Sequence, residues 1–259
     1  MPLLAVQDLS ISFGGLAALA GVSFDVEAGE VAALIGPNGA GKTTVFNLLT
    51  GLYRPTRGRA MLDGEDLLGL VPHEIARRGV ARTFQNTEVF RRLSVLDNVL
   101  VGQHTRLSGG LLGGLLGSPR VRREEAEARR RAETLLARVG LGDVADVDAA
   151  SLPLGRQKRL EIARALALGP RLLLLDEPAG GLNPTETREL MRLIRGLRDE
   201  DGLAILVVEH NMELVMGISE RVVVLHYGKR LAEGKPHEVA RNPAVIEAYL
   251  GSGSGDADA

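Results

Sequence analysis

Eight residues near the N-terminus carry the strongest chemical signal in the chain. Gly36 to Thr43 reads "GPNGAGKT" and satisfies the pattern G-x-x-x-x-G-K-[ST] in full, between a strand-like run and a helical one. Glycines at 36, 39 and 41 let the backbone curl, so that successive N–H groups converge on phosphate oxygens, and the start of the following helix adds a favourable dipole. Gly36, Asn38, Gly39, Ala40, Gly41, Lys42, Thr43 and Thr44 thus form a nucleotide-binding set. Lys42 would bridge the β- and γ-phosphates of ATP, and the Thr43 hydroxyl would hold Mg²⁺. An ordinary glycine-rich turn would leave Lys42 and Thr43 unexplained.

Far downstream, "RLLLLDEP" delivers Asp176 and Glu177 at the C-terminal end of an apolar run. Open α/β sheets bind ligands at those strand ends. Asp176 would orient Mg²⁺ through its hydration shell, and Glu177 would polarise the attacking water. Gln85 closes one strand-like run and His210 another, in "VVEHN". Either of these alone suits a surface or core position as well as a catalytic one. A third stretch, "SLPLGRQKRLEIARAL" from Ser151 to Leu166, is a turn entering a basic amphipathic helix.

The elements that must position these groups follow from periodicity. "LLAVQDLSISF", "GVSFDVEAGE" and "VAALIG" read as three strands, and Val45, Leu48, Leu49 and Leu52 then recur at helical spacing. "GVARTFQN" is strand-like. Ser94 with Asp97 predicts a capping box opening the helix "LSVLDNVLVG". "SGGLLGGLLGSP" reads as a loop, ended by Ser118 and Pro119 at the favoured first positions of a long charged helix. There Glu125–Arg129 and Glu127–Arg131 are i,i+4 pairs, and Ala132, Leu135, Leu136 and Val139 make an apolar stripe. "RLLLLDEP" and "LAILVVEH" are the unbroken apolar runs of strands buried on both faces. Alternation with helical segments predicts a mostly parallel α/β sheet. The end of the chain predicts a hairpin about Tyr227 and Gly228, a short helix, and a flexible tail over 251–259.

Composition sets the outer limits. The 259 residues, 45% hydrophobic, suffice for one large domain with a full core, and a formal charge of −2 supplies no broad basic field for nucleic acid. With no cysteine there is no disulfide and no thiolate chemistry. Neither a secretion signal nor an apolar run of roughly 20 residues is present, which points to the cytoplasm.

Phosphate loop, glutamine after a strand, glycine-containing turn before a basic helix, Asp-Glu after an apolar strand and histidine after the next occur in the order of ATP-binding cassette ATPases. Over essentially its whole length the chain resembles that family, a P-loop NTPase fold with a mostly parallel core sheet, an antiparallel β subdomain and a helical subdomain. The resemblance implies one cassette over 1–250, with the helical subdomain at about 102–165. It implies that Phe13, with Ala18, packs on adenine, that Gln85 senses Mg²⁺ and the water, and that His210 contacts the γ-phosphate. It places Leu152, Pro153, Leu154, Gly155, Arg156 and Gln157 where the family has L-S-G-G-Q, the signature that contacts ATP held by the opposite subunit. Pro153 replaces the serine, Leu154 the first glycine and Arg156 a glutamine. Ala179 to Asn183 would be the D-loop, with Asn183 where aspartate is usual.

Within the family, "RTFQNTEVFRRLSVLDNVLVGQH", the glycine-rich insertion, "AGGLNPTET" and "AVIEAYLG" resemble the longer of the two ATPase subunits of branched-chain amino acid importers. That implies a second ATPase subunit in a homo- or heterodimer, transmembrane permease subunits docking near Gln85 to Val95 at the cytoplasmic face of the inner membrane, and indirectly a solute-binding protein. Lipopolysaccharide-export ATPases share much of the pattern, and a binding-only regulatory cassette is a second alternative. Chromosome-type cassettes would need long heptad arms, translation-factor cassettes a second phosphate loop, and a simple nucleotide kinase would lack Gln85, the turn and His210.

Overall fold

The computed structural model describes residues 1–83, 89–103 and 119–250. Gln85, the glycine-rich loop up to Ser118 and the tail 251–259 lie outside the described residues. In chain order the elements are β1 (Leu4–Phe13), β2 (Leu16–Val26), β3 (Val31–Ile35), α1 (Lys42–Leu49), β4 (Arg57–Leu62), β5 (Glu65–Asp66), α2 (Pro72–Arg77) and β6 (Val80–Arg82). They continue with α3 (Val95–Gly102), α4 (Pro119–Arg138), α5 (Leu154–Leu166), β7 (Leu172–Asp176), α6 (Pro184–Asp201) and β8 (Ala204–Val208). The last are α7 (Met212–Ile218), β9 (Arg221–His226), β10 (Lys229–Gly234), α8 (Pro236–Val239) and α9 (Pro243–Leu250).

Two sheets divide the work. The larger has the order β10-β9-β3-β8-β7-β6 and is parallel except for the β9–β10 pair; the smaller, β2-β1-β4-β5, is antiparallel. β3, β7 and β8 are buried at every residue, which is why their sequences are continuous apolar runs rather than alternating ones. Successive side chains still go to opposite faces. Val31, Ala33 and Ile35 join the core under α3 to α7, while Ala32 and Leu34 join a second core with α1 and the antiparallel sheet. The sheet is therefore a wall between two cores, and the ends of β3, β7 and β8 project from the same edge of it.

Several local signals materialise. Ser94 Oγ accepts from the Asp97 N–H at 3.0 Å and caps α3. In α4 the Glu127–Arg131 pair forms and Ala132, Leu136 and Val139 are buried, but Arg129 donates to Glu133 at 3.0 Å rather than turning back to Glu125. Tyr227 and Gly228 have φ of 46° and 73°, the two left-handed steps of a tight hairpin.

Other boundaries differ. β2 begins five residues ahead of Gly21, because Leu16 to Leu19 pair back onto Phe13 to Ile11 across a Gly14–Gly15 turn. Local propensity in "LAALA" is weak, and the cross-strand partner decides. The C-terminal helix is two helices, since Pro243 supplies no N–H and Asn242 caps the second through the Ala244 N–H at 3.0 Å.

Candidate functional site

From Ile35 the chain enters the loop through Gly36, Gly39 and Gly41, with φ of 151°, 77° and 104°. Two of these positions exclude any side chain. A Cβ on Gly36 would lie 2.2 Å from the Leu225 carbonyl oxygen, and one on Gly41 would lie 2.6 Å from Leu19 Cδ2 and 2.9 Å from the Ala18 oxygen. Gly41 is the N-cap of α1, which has no side-chain cap and no acidic residue in its first turn. The first N–H groups of α1 are thus available to an anion, with the helix dipole behind them. Lys42 lies across this loop, its Nζ donating to the carbonyls of Gly36 at 2.7 Å and Pro37 at 3.0 Å. Burial pushes its ammonium below the usual lysine pKa, an effect opposed by Glu177 and Asp176.

Asn38, Gly39, Ala40, Gly41, Lys42, Thr43 and Thr44 line one cavity of about 240 Å³, together with Ala18 and Glu177. Phe13 is not part of its wall. It stands exposed at the end of β1 with its ring edge-on to Tyr53, centroids 5.2 Å apart. Tyr53 carries no sequence signal; it follows α1 and has no motif around it.

Asp176 ends β7 and is 2% exposed. Its Oδ2 accepts from Arg82 at 2.7 Å, and Arg82 also donates to Asn47 Oδ1 at 2.7 Å and lies over the Phe46 ring. One guanidinium therefore joins β6, α1 and β7 beneath the cavity. Arg82 is a second residue that sequence reasoning passes over, although an arginine closing a short apolar strand three residues before Gln85 is a visible anomaly. Glu177, next to Asp176, has φ of 46°, a left-handed conformation that costs a non-glycine residue roughly 1–2 kcal/mol. Its N–H donates to the Val208 carbonyl at 2.9 Å, so β8 holds the strained turn in place. His210 follows β8 with its side chain 67% exposed.

The turn from Leu152 to Gln157 is elsewhere. Pro153 is the N-cap of α5, and its carbonyl accepts from the N–H groups of Arg156 and Gln157 at 3.0 Å. Gln157 Nε2 donates to the Leu152 carbonyl at 2.8 Å. Leu154 lies against Gly181, where a Cβ would come within 2.8 Å of Leu154 Cδ2, and Gly155 lies against Glu186, whose Oε1 a Cβ would approach to 2.8 Å. Arg156 pairs with Asp143 at 3.2 Å. Pro153, Gly155 and Arg156 open onto a second cavity of about 350 Å³ shared with Leu182 and Glu186. Asn183 acts locally. Its Oδ1 accepts from the N–H groups of Thr185 and Glu186, and Glu186 returns a bond to the Asn183 N–H, a complete capping box for α6.

Comparison with known proteins decides what this arrangement belongs to. The ABC transporter family model matches residues 19–180. The chain belongs to the ABC transporter family. A further model, described as branched-chain amino acid ATP-binding cassette transporter, matches residues 229–254. The ABC ATPase is 52% identical over 250 residues to the high-affinity branched-chain amino acid transport ATP-binding protein LivG of Salmonella typhimurium, covering 96% of this chain and 98% of that one. It is 42% identical to the lipopolysaccharide export system ATP-binding protein LptB of Acidithiobacillus ferridurans, over 96% and 97% of the two chains. Among solved structures, the ADP conformation of MJ1267, an ATP-binding cassette of an ABC transporter, superposes with a TM-score of 0.85 at 30% identity, over 97% of this ABC ATPase and 99% of that chain.

The loop fits a nucleotide on this structure's own terms: two glycines that admit no Cβ, an uncapped helix start and an ammonium buried beside it. Among the described residues no group of three or more His, Asp or Glu side chains converges on one point. Among the described residues no helix is long and apolar enough to cross a membrane.

Proposed function

We propose that the chain is the ATP-hydrolysing subunit of an importer for branched-chain amino acids, working with a second cassette and membrane-embedded permease subunits. The observation that carries the catalytic half is the cavity in which Glu177 faces the loop from Gly39 to Thr44. The cargo rests on the likeness to LivG and on the C-terminal match, and the higher identity to LivG than to LptB favours branched-chain amino acid transport over lipopolysaccharide export.

Bound ATP supplies the γ-phosphoryl group and, with Mg²⁺, the charge that Thr43 and Asp176 would hold, with Gln85 completing the set. Lys42 exchanges the carbonyls of Gly36 and Pro37 for phosphate oxygens. Phe13 and Ala18 flank the base. Glu177, held by Val208, accepts a proton from the attacking water, and His210 contacts the γ-phosphate. The turn Leu152 to Gln157 faces the nucleotide of the opposite cassette, so closure of two cassettes head to tail completes both sites. The reading takes the cassette as 1–250, with the helical subdomain at about 102–165, of which 104–118 lie outside the described residues.

Glu177→Gln tests the chemistry: ATP affinity should stay within about twofold while hydrolysis falls roughly 10²- to 10⁴-fold, the range expected for a lost general base. Hydrolysis at the wild-type rate would remove Glu177 from that role. Cargo is tested by leucine uptake into proteoliposomes holding this chain, its permease and its binding protein. Phe90 is 47% exposed beside α3, on a segment anchored by buried Asn98, which exchanges hydrogen bonds with the Phe90 N–H at 2.8 Å and carbonyl at 3.1 Å. A charge at Phe90 should abolish uptake and spare ATP binding if the permease docks there.

A further inference from the structure

The carboxylate next to His210 has no motif to explain it. Glu209 is 1% exposed, and its side chain is fully buried. Its Oε1 accepts from the Ala179 N–H at 2.7 Å, and its Oε2 accepts from the N–H groups of His210 at 3.0 Å and Asn211 at 3.1 Å. A charge taken out of water costs several kcal/mol unless it is compensated. Three N–H donors provide that compensation here, two on one segment and one on another.

One of those segments reaches the cavity beside the Gly39–Thr44 loop through Glu177, and the other carries His210. Glu177 is in its left-handed conformation, Pro178 has no N–H to give, and Ala179 is the first residue past Glu177 with a free donor. Val208 holds the Glu177 N–H and Glu209 the Ala179 N–H. Consecutive residues at the end of β8 thus bracket the strained turn. The other oxygen of the same carboxylate fixes the backbone of His210 and Asn211, and Asn211 in turn caps α7 through the Leu214 N–H at 3.1 Å.

We propose that Glu209 is a positioning residue for hydrolysis: one buried carboxylate sets the backbone that carries Glu177 and the backbone that carries His210 in a common register. The inference rests on the roles given above to Glu177 and His210. Glu209 itself is buried and is not part of the wall of that cavity. An apolar residue of the same size would be cheaper to bury but would leave three N–H groups unpaired and the two segments independent.

Glu209→Gln tests the coupling with little change of shape. A carboxamide offers one acceptor and one donor, so it cannot serve Ala179 and the His210–Asn211 pair together. The expected result is kcat lowered by at least about tenfold, the effect of one lost charge-assisted hydrogen bond, with the KM for ATP within about twofold. Hydrogen exchange at the Ala179, His210 and Asn211 amides should rise together, while exchange over Gly39–Thr43 stays as in wild type. Exchange rising on only one of the two segments would overturn the proposal, as would kcat within twofold of wild type. Glu209→Asp keeps the charge but is one methylene short, and wild-type kcat in that variant would overturn it too. Should Glu209→Gln fail to fold, exchange in the wild-type chain with and without ADP decides: the three amides should change in step, and independent changes would refute the clamp. Because exchange needs no turnover, it separates this proposal from the assignment of Glu177 as base, which Glu177→Gln tests alone.

Discussion

Two turns in this molecule lead through glycine into a helix, and they are built to opposite specifications. The loop from Gly36 to Thr43 is closed in on its own chain: Leu225, Leu19 and Ala18 leave no space for a Cβ at Gly36 or Gly41, and Lys42 is drawn down onto the loop carbonyls. The turn from Leu152 to Gln157 is open. Its glycine abuts the flexible end of Glu186, its arginine is paired outward with Asp143, and its proline blocks any side-chain cap. The first turn leaves no room for a side chain at Gly36 or Gly41, whereas the second has a side chain, Glu186, as the nearest neighbour of its glycine. Both lead into a helix N-terminus with no side-chain cap, so the difference lies in what surrounds it.

The comparison breaks most sharply at Gly41. Gly41→Ala drives a methyl group into Leu19 and the Ala18 carbonyl, and backbone there can move only by reshaping the loop. Losing two charge-assisted contacts should weaken ATP binding by at least about 100-fold. Gly39→Ala is the control. Its φ of 77° is strained for alanine but nothing stands within 4 Å, so it should cost roughly 1–2 kcal/mol of stability and only a few-fold in affinity. Fluorescent nucleotide titration and thermal unfolding of both variants would check the contrast, and equal losses would show that left-handed backbone rather than crowding sets the requirement.

Pro153 tests the open turn. In reconstituted dimers Pro153→Ser should add a hydroxyl donor facing the partner's nucleotide and raise hydrolysis there about tenfold, the worth of one hydrogen bond to a charged group. The measurement disables either this chain's Lys42 or the partner's equivalent lysine. An increase confined to this chain's own loop would contradict the assignment of the turn to the opposite site.

The same contrast governs what the sequence could reveal. The loop between β3 and α1 was legible because its backbone demands, glycines at 36, 39 and 41, fall within eight consecutive residues. Asp176 and Glu177 were legible because a fully buried strand announces itself as "LLLL". β4, β5 and α2 left little trace, since β4 buries only two of its six residues and takes its place from pairing with β1. Arg82 and Glu209 were missed for a related reason. The partners that join them to other elements are Asn47, Asp176 and Ala179, between 30 and 94 positions away, and no spacing rule reaches that far. Pro153, Leu154 and Arg156 stood out as departures from the signature, but only the fold shows where Arg156 goes.

Arg156 supports the smallest prediction and the finest test of the open turn. A cation one residue past the signature glycine invites the idea that it compensates for Pro153 by reaching the partner's phosphate. The structure instead ties it to Asp143 at 3.2 Å, with both side chains substantially exposed. An exposed pair of this kind contributes about 0–1 kcal/mol, so Arg156→Gln and Asp143→Asn should each leave thermal stability nearly unchanged. If Arg156 remains with Asp143 when the cassettes close, hydrolysis at the partner's site should change by less than about twofold in either variant, with little dependence on salt, because water screens the pair already. If Arg156 lets go of Asp143 and binds phosphate, the variants diverge. Arg156→Gln would then slow the partner's site severalfold, and Asp143→Asn would speed it, most of all at low ionic strength. Opposite signs in the two variants would move Arg156 from the flank of the turn into the phosphate site and make the open turn a working substitute for the missing serine.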